Sequence, residues 1–193
     1  TDDFSAQRNF ALDQTNADWV LYLDADERLN DELIHEIKRI VSSGKMDEQY
    51  AITRKSVAFG VTFSYGVLYP DHVLRMFPRE SVTWVNKVHE RPECQLPAKR
   101  LPGYIEHHTY EDWHEWEEKL CLYTTIWAED AYKRGKRISM ASIFMHSLGG
   151  FFKMFVVRRG FLDGWLGSYL CCTHFFYTML KYLKLHELQR KGD

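Results

Sequence analysis

The sequence predicts an α/β protein with a helical second half, and three observations support this. An apolar run at residues 19–23 ends abruptly in acidic residues, which is typical of a buried strand that leads into a ligand site. Helical periodicity flanks this run on both sides. From residue 111 onward, apolar residues recur at spacings of three and four. We therefore expect a sheet-containing region at 1–110 and a helical region at 111–193.

The first region alternates helical and extended patterns. A helix is predicted at 5–15, followed by a strand at 19–23 that is buried on both faces, as in a parallel sheet. Asn30 is a good N-cap for a helix that ends at Gly44. Further strands are predicted at 50–54, 72–77, 82–88 and 104–109, with a hairpin or loop at 57–68 and a proline-containing loop at 92–102.

The second region begins with an amphipathic helix at 111–133. Trp113, Trp116, Leu120, Tyr123 and Trp127 fall on one face of that helix. Basic breaks at 133–137 and 158–160 separate it from two apolar stretches, 138–157 and 161–185.

Residues 164–180 carry no formally charged side chain, but they fall short of the roughly 20 apolar residues of a spanning helix. Arg158 and Arg159 precede this stretch, and Lys181 and Lys184 follow it. Cations beside an apolar aromatic helix suit a protein that lies on an anionic membrane surface. Two other interpretations of this apolar stretch are a buried helical pair that packs on the domain and a dimer interface.

Charge and cysteine usage narrow the class of protein. The 193 residues carry a net charge of -2, which offers no electrostatic basis for general nucleic-acid binding. None of the four cysteines forms a CxxC pair, so we expect reduced thiols in a cytoplasmic protein.

The triplet Asp24-Ala25-Asp26 is the strongest candidate for chemistry. It places two carboxylates directly after the predicted strand, where ligands bind in open α/β sheets. Mg²⁺ and Mn²⁺ prefer oxygen ligands and are commonly held by one or two carboxylates together with substrate phosphates. The sequence therefore predicts a metal and diphosphate site here. The alternative is a solvated acidic turn before the next helix.

The order of motifs resembles a family 2 glycosyltransferase domain. The similarity runs through residues 5–12 (SAQRNFAL), 18–29 (DWVLYLDADERL), 69–77, 88–91 (VHER), 107–110, 158–165 and 183–189. It is closest to the bacterial branch that includes the lipopolysaccharide inner-core β-glucosyltransferases. The resemblance implies a nucleotide-diphospho-sugar transferase sandwich of the GT-A type, with a C-terminal helical, membrane-proximal extension. We expect the family's first strand and base-binding loop to precede Thr1.

The resemblance also implies roles for individual residues. The binding of the nucleotide sugar would involve Arg8, Asn9, Asp24, Asp26 and Arg75. The metal would be held by Asp26, Asp24 and His107, with Glu27 beside them. An inverting transfer needs a base for the acceptor hydroxyl, for which Glu90 is the first candidate and Asp71 the second. Glu90 in a salt bridge to Arg91 or Arg75 is the competing interpretation.

The implied function is transfer of a hexose from a nucleotide sugar to a glycan or glycolipid acceptor, in lipopolysaccharide core or cell-envelope glycan synthesis. We expect a peripheral protein on the inner face of the cytoplasmic membrane, with Mg²⁺ or Mn²⁺ as cofactor. The alternative is a non-catalytic, membrane-associated or oligomerising fragment with a vestigial acidic site. A sugar-nucleotide phosphoryl transferase is disfavoured because the sequence lacks a glycine-rich phosphate loop.

Overall fold

A computed structural model describes residues 4–86 and 90–192 of this mixed α/β chain. The chain divides into two compact units. Unit 1 comprises Thr1–Lys55 and Asp71–His107, and unit 2 comprises Ser56–Pro70 and His108–Asp193. The expected division at residue 110 stays a prediction, but residues 56–70 group with the helical region. Within unit 2, Ala58 and Phe63 pack with Leu166 and Leu170 in one hydrophobic cluster.

The chain contains eight described strands. These are β1 Trp19–Leu21, β2 Glu27–Leu29, β3 Gln49–Ala58, β4 Val61–Thr62, β5 Asp71–Pro78, β6 Thr83–Val85, β7 Arg91–Glu93 and β8 Ala98–Tyr110. The larger sheet has the order β1-β5-β3-β8-β2, with β4 paired to β3, and β6 pairs with β7 in a second sheet. The pairings β1–β5, β2–β8, β3–β4, β3–β5 and β6–β7 are antiparallel.

Strand β1 corrects one prediction. It was expected to lie buried on both faces of a parallel sheet, but its three residues are half-buried and pair antiparallel with β5. Among the described strands β1 stands at the end of the sheet order. Its apolar character comes from packing, since Trp19 and Leu21 lie against the core cluster that contains Leu33, Ile52 and Met76.

Strands β7 and β8 correct a second prediction. The loop expected at 92–102 is wrong in part, because β7 contains Pro92 and β8 contains Pro102. Proline is tolerated in strands where its missing N–H is not needed for pairing. Gly103 follows with φ of 80°, and a Cβ there would lie 2.6 Å from the backbone nitrogen of Leu33. Close approach of β8 to the start of the helix Asp31–Ser43 therefore requires glycine at this position.

Two helices belong to unit 1, α1 (Phe4–Asp13) and α2 (Asp31–Ser43). The predicted caps of α2 are confirmed: the Asn30 side chain accepts a hydrogen bond from the Leu33 amide, and Gly44 ends the helix in the left-handed conformation. The Asn30 side chain also accepts from the Tyr104 amide at 2.9 Å, so it joins the start of α2 to β8.

Unit 2 contains α3 (Trp113–Lys133), α4 (Met140–Phe152) and α5 (Gly164–Gly192). The helix predicted at 111–133 is confirmed. A π-helical turn, Lys153–Val157, continues α4. The core between these helices contains Ala128, Ala131, Ile143, Tyr182 and Leu185. All four cysteines are free.

One described stretch, Met140–Val157, is long and apolar enough to cross a membrane by length and composition alone, and 11% of it is buried. The sequence instead predicts membrane contact for residues 164–180. In the structure that segment belongs to α5 and buries Leu166, Leu170 and Cys171.

Candidate active site in the charged cleft of unit 1

A tight turn presents the acidic triplet. The Glu27 amide donates to the Asp24 carbonyl at 3.0 Å, and the Asp24 amide donates to the Glu27 carboxylate at 3.0 Å. These two bonds close the turn between β1 and β2. They leave Ala25 and Asp26 at the tip, where both are exposed.

Glu27 is the centre of a buried ionic network. Its side chain is fully buried and accepts from Arg75 Nη2 at 2.7 Å. Arg54 Nη1 lies 3.5 Å from the same carboxylate oxygen. A buried carboxylate is stable only when it is paired and hydrogen-bonded, and Glu27 meets both conditions. The network holds β2, β3 and β5 in register around the turn.

Asp24 is held between two arginines. Its carboxylate lies 2.7 Å from Arg75 Nη2 and 3.3 Å from Arg8 Nη2. Burial raises the pKa of Asp24, but hydrogen bonds and charge from Arg75 and Arg8 outweigh burial and lower that pKa below its usual value. Asp24 is therefore ionised and neutralised at pH 7, and the arginines satisfy the carboxylate that was predicted to bind metal.

Asp26 has a different partner. Its Oδ2 lies 3.1 Å from Nε2 of His107. The cause is register, since β2 pairs with β8 so that Glu27 stands opposite His107. The structure thus brings together two of the three predicted metal ligands.

The third predicted ligand is not part of the same group. Among residues 4–86 and 90–192, no three His, Cys, Asp or Glu side chains are arranged to hold a metal ion. A ready-made centre of Asp24, Asp26 and His107 is thus not formed, because Arg8 and Arg75 bind Asp24. Asp26 and His107 together present one oxygen and one nitrogen donor, and both suit a divalent transition metal.

A cleft of about 380 Å³ opens beside this network. It is lined by Arg8, Asp24, Arg75, Trp84 and Glu90, together with His72, Val73, Leu74 and Pro92. The guanidinium carbon of Arg8 lies 4.5 Å from the centre of the Trp84 ring, a cation–π contact that orients the side chain. The Nε of Arg75 is buried and makes no hydrogen bond to any described residue.

Asn9 lies on α1 one residue after Arg8, but its side-chain amide is hydrogen-bonded within the protein. Its Nδ2 donates to the Trp84 carbonyl at 2.8 Å, and its Oδ1 accepts from the Trp84 amide at 2.9 Å. This pair of bonds attaches α1 to β6. The geometry favours positioning of Arg8 and Trp84 over direct contact of Asn9 with a ligand.

The two predicted bases differ in their surroundings. Glu90 lines the cleft and lies 3.6 Å from Arg8, instead of pairing with Arg75 or Arg91. Asp71 lies outside the cleft, where both of its oxygens accept from Arg54 at 3.0 and 2.7 Å. This fork raises the pKa of Arg54 despite its burial. The geometry therefore favours Glu90. Val88 and His89 of the same sequence motif lie outside the described residues.

Two residues, Glu27 and Arg54, have a larger role in the site than the sequence predicted. Glu27 was expected only beside the metal ligands, yet it is the central acceptor of the network. Arg54 received no role, yet it joins Glu27 to Asp71. The signal for Glu27 was its place in a run of acids after a strand. No local signal marked Arg54, because its pairing with Asp71 is set by the register of β3 on β5.

Several curated proteins that resemble this chain share one class name, glycosyltransferase. No protein-family model matches the chain. It is similar to proteins named uncharacterized glycosyltransferase from Rickettsia species. A Rickettsia typhi protein is 26% identical over 201 residues, covering 98% of this chain and 69% of the relative. A Rickettsia prowazekii protein is 24% identical, with the same coverage. A Rickettsia felis protein is 24% identical and covers 95% of this chain. These names specify no donor, acceptor or linkage.

Proposed function

We propose that this protein is an inverting glycosyltransferase that moves a hexose from a nucleotide sugar to a glycan or glycolipid. The resemblance to proteins named glycosyltransferases along nearly the whole chain supports the transferase class. The observation that carries the proposal is the cleft in which Arg8, Asp24, Arg75 and Glu90 converge on one open space. We further propose the GT-A fold type and a role in lipopolysaccharide core or cell-envelope glycan synthesis, on the sequence resemblance.

The arginines are the proposed contacts for the diphosphate of the donor. Arg8 and Arg75 line the cleft, and guanidinium groups match phosphate oxygens well. Arg75 has its Nε still without a partner, so a ligand oxygen there would satisfy a buried donor. Asp24 then holds both arginines in place, and contacts the ligand at its exposed edge.

Charge balance explains why a metal is part of the proposal. Around the cleft and the acidic turn, five carboxylates (Asp24, Asp26, Glu27, Asp71 and Glu90) outnumber four guanidinium groups (Arg8, Arg28, Arg54 and Arg75). A diphosphate entering this excess of negative charge needs a further cation. Asp26 and His107 are the proposed protein ligands, since they are adjacent and partly exposed. A bound Mn²⁺ on Asp26 and His107, or Mg²⁺ held through the Asp26 oxygen, would stabilise the negative charge of the leaving diphosphate.

Glu90 is the proposed base. It lines the cleft with its side chain 24% exposed, within reach of both solvent and a bound acceptor. As the acceptor hydroxyl attacks the anomeric carbon, Glu90 would take its proton while the bond to the diphosphate breaks. Arg8, 3.6 Å away, keeps the carboxylate turned into the cleft.

A glycolipid acceptor would place the enzyme at a membrane. We propose peripheral association with the inner face of the cytoplasmic membrane, supported by the exposed apolar helix of unit 2.

The test is a screen of the full-length enzyme for donor hydrolysis and transfer with several nucleotide sugars, with and without EDTA. We expect turnover that EDTA abolishes and that Asp26→Asn lowers about 10² to 10³-fold, as for loss of a charge-stabilising group. Asp31→Asn is the matched control, since Asp31 is an exposed acid in the first turn of α2. Turnover that persists in EDTA would refute the metal. Absence of both donor binding and turnover would favour the non-catalytic alternative.

A further inference from the structure

The outward face of α4 is apolar, which is the reverse of an ordinary surface helix. Met140, Phe144, Met145, Leu148 and Phe152 recur on this face, each between 45% and 64% exposed. The buried positions of the helix are Ile143 and Ser147. An amphipathic helix on a soluble protein turns its apolar side to the core, whereas here large apolar side chains face solvent.

The same exposed character continues past the end of α4. Val156, Val157, Phe161 and Leu162 are exposed, and Trp165 is 76% exposed. We call the exposed apolar side chains of Met140–Val157, together with those of Phe161, Leu162 and Trp165, the α4 face. This number of exposed large apolar side chains within one segment indicates a site of interaction with a partner or a membrane.

The formal charges in the chain segment 138–162, which carries most of the α4 face, are all positive. Lys153, Arg158 and Arg159 are the only formally charged residues from 138 to 162. The next acid is Asp163. Its carboxylate accepts hydrogen bonds from the backbone amides of Ser64 and Tyr65 within unit 2. The apolar surface is therefore bordered by cations without a neighbouring acid in the segment. This combination matches an anionic bilayer, because cations meet lipid headgroups while aromatic and aliphatic side chains enter the acyl boundary.

We infer that the α4 face docks unit 2 in the plane of an anionic membrane surface, with α4 lying on the bilayer and not crossing it. This orientation extends the peripheral membrane association proposed above by assigning it to one face of unit 2. It stands on the exposure and charge of unit 2 and does not depend on the donor chemistry of unit 1.

The packing of α4 on α5 decides the orientation. Ile143 packs in one cluster with Tyr182 and Leu185. At the other end of α4, a Cβ on Gly150 would lie 3.3 Å from Thr178 Oγ1 and 3.5 Å from the His174 ring. The segment of α5 that accompanies α4 therefore extends from about residue 174 to residue 185.

That segment carries Lys181 and Lys184. The Lys184 ammonium bonds to hydroxyls of Thr124 and Thr125 on α3, at 2.9 and 2.8 Å. Were α4 to cross the bilayer, these cations would enter the hydrocarbon region beside it, which is strongly unfavourable. In the plane of the membrane, only the outward face of α4 enters the acyl boundary, and the lysines stay with unit 2.

The experiment is flotation of the purified protein with two kinds of vesicle, phosphatidylcholine alone and phosphatidylcholine with phosphatidylglycerol. We expect binding to the anionic vesicles that weakens with salt. Replacing Phe144, Met145 and Leu148 together by glutamine should lower binding about tenfold or more, because exposed apolar area no longer enters the bilayer. Replacing Lys153 and Arg159 by glutamine should lower it roughly 25-fold, at about fivefold per cation near an anionic surface.

The matched control is Leu122→Gln with Ile126→Gln, two exposed apolar residues on α3 of the same unit. We expect this variant to bind as the parent does. All substituted positions are exposed, and a thermal melt verifies that each variant is folded. Equal loss in the α3 variant would overturn the assignment of the α4 face.

Two further outcomes would also overturn the inference. If the protein ignores vesicles and forms a dimer that the Phe144, Met145 and Leu148 variant dissociates, the occupant of the face is a second copy. Extraction of bound protein with alkaline carbonate tests orientation: we expect release, as for a protein lying on the surface. Retention in the bilayer after carbonate would mean that α4 spans.

Discussion

The candidate functional surfaces of unit 1 and unit 2 rely on opposite kinds of interaction. In unit 1 charged side chains line the cleft together with apolar ones, and Glu27, Arg75 and Arg54 form an ionic network that is largely buried. In unit 2 the helices pack through small and apolar side chains, and large apolar residues remain exposed on α4. A buried ionic network fixes side chains with directional bonds, which suits recognition of a charged ligand. An exposed apolar face is non-directional, which suits a fluid surface such as a bilayer.

The largest expected effect separates the two candidate bases of unit 1. Glu90→Gln should lower the turnover number of the full-length enzyme by about 10² to 10⁴-fold, the range for loss of a general base. Asp71→Asn is the comparison, since Asp71 is bound by both nitrogens of the Arg54 fork. It should lower turnover less. Steady-state transfer kinetics measures both, and full activity of Glu90→Gln would remove Glu90 from the role.

Loss of the central carboxylate tests whether the ionic network stabilises unit 1. Glu27→Gln leaves Arg75 buried with only Asp24 as its charged partner, and should lower the free energy of unfolding by about 3–5 kcal/mol. Urea unfolding followed by circular dichroism measures the change. The matched control is Glu93→Gln, which breaks the exposed Arg91–Glu93 pair and should change stability by less than about 1 kcal/mol. Equal effects of the two would contradict the network.

The counterpart in unit 2 is an apolar truncation. Leu185 is fully buried in the cluster with Ala128, Ala131 and Ile143. Leu185→Ala should lower stability by about 2–5 kcal/mol, since the cavity adds to the lost transfer free energy. The helical circular dichroism signal should be lost at a lower urea concentration than in the parent. Donor binding by unit 1 at low temperature should change little. Leu183→Ala on the same helix, at a position 36% exposed, is the control that should cost much less.

The smallest expected effect is an acid sensitivity of unit 2. Burial first, and then the positive charges of Lys181, Arg158 and Lys153, lower the pKa of His174 to about 4. Since an unfolded histidine titrates near 6.5, the unfolded chain binds more protons below that pH, and stability falls from about pH 6.5 to about pH 4.

His174→Gln should flatten this part of the profile, as measured by melting temperature against pH. The exposed His114 is the control, and His114→Gln should leave the profile unchanged. An unaltered profile in His174→Gln would show that another group carries the acid sensitivity.

Local features of the sequence predicted several elements well. Helix α2 was bounded correctly because its caps, Asn30 and Gly44, act on their own neighbours. Helix α3 followed from spacing of its aromatic residues. The acidic turn was located because an apolar strand ends in adjacent carboxylates. These are short-range effects, so residue order along the chain is sufficient to specify them.

Only the tertiary structure decided which partners those carboxylates meet. Asp24 and Asp26 are two residues apart, yet Asp24 pairs with arginines from α1 and β5, and Asp26 pairs with His107 from β8. Strand register sets these contacts, and register depends on packing across the whole sheet. The same holds for α4: its sequence is simply apolar, and its exposure follows from which face Tyr182 and Leu185 of α5 cover. Sequence thus determined the residue types at both surfaces, while long-range packing determined their pairing and exposure.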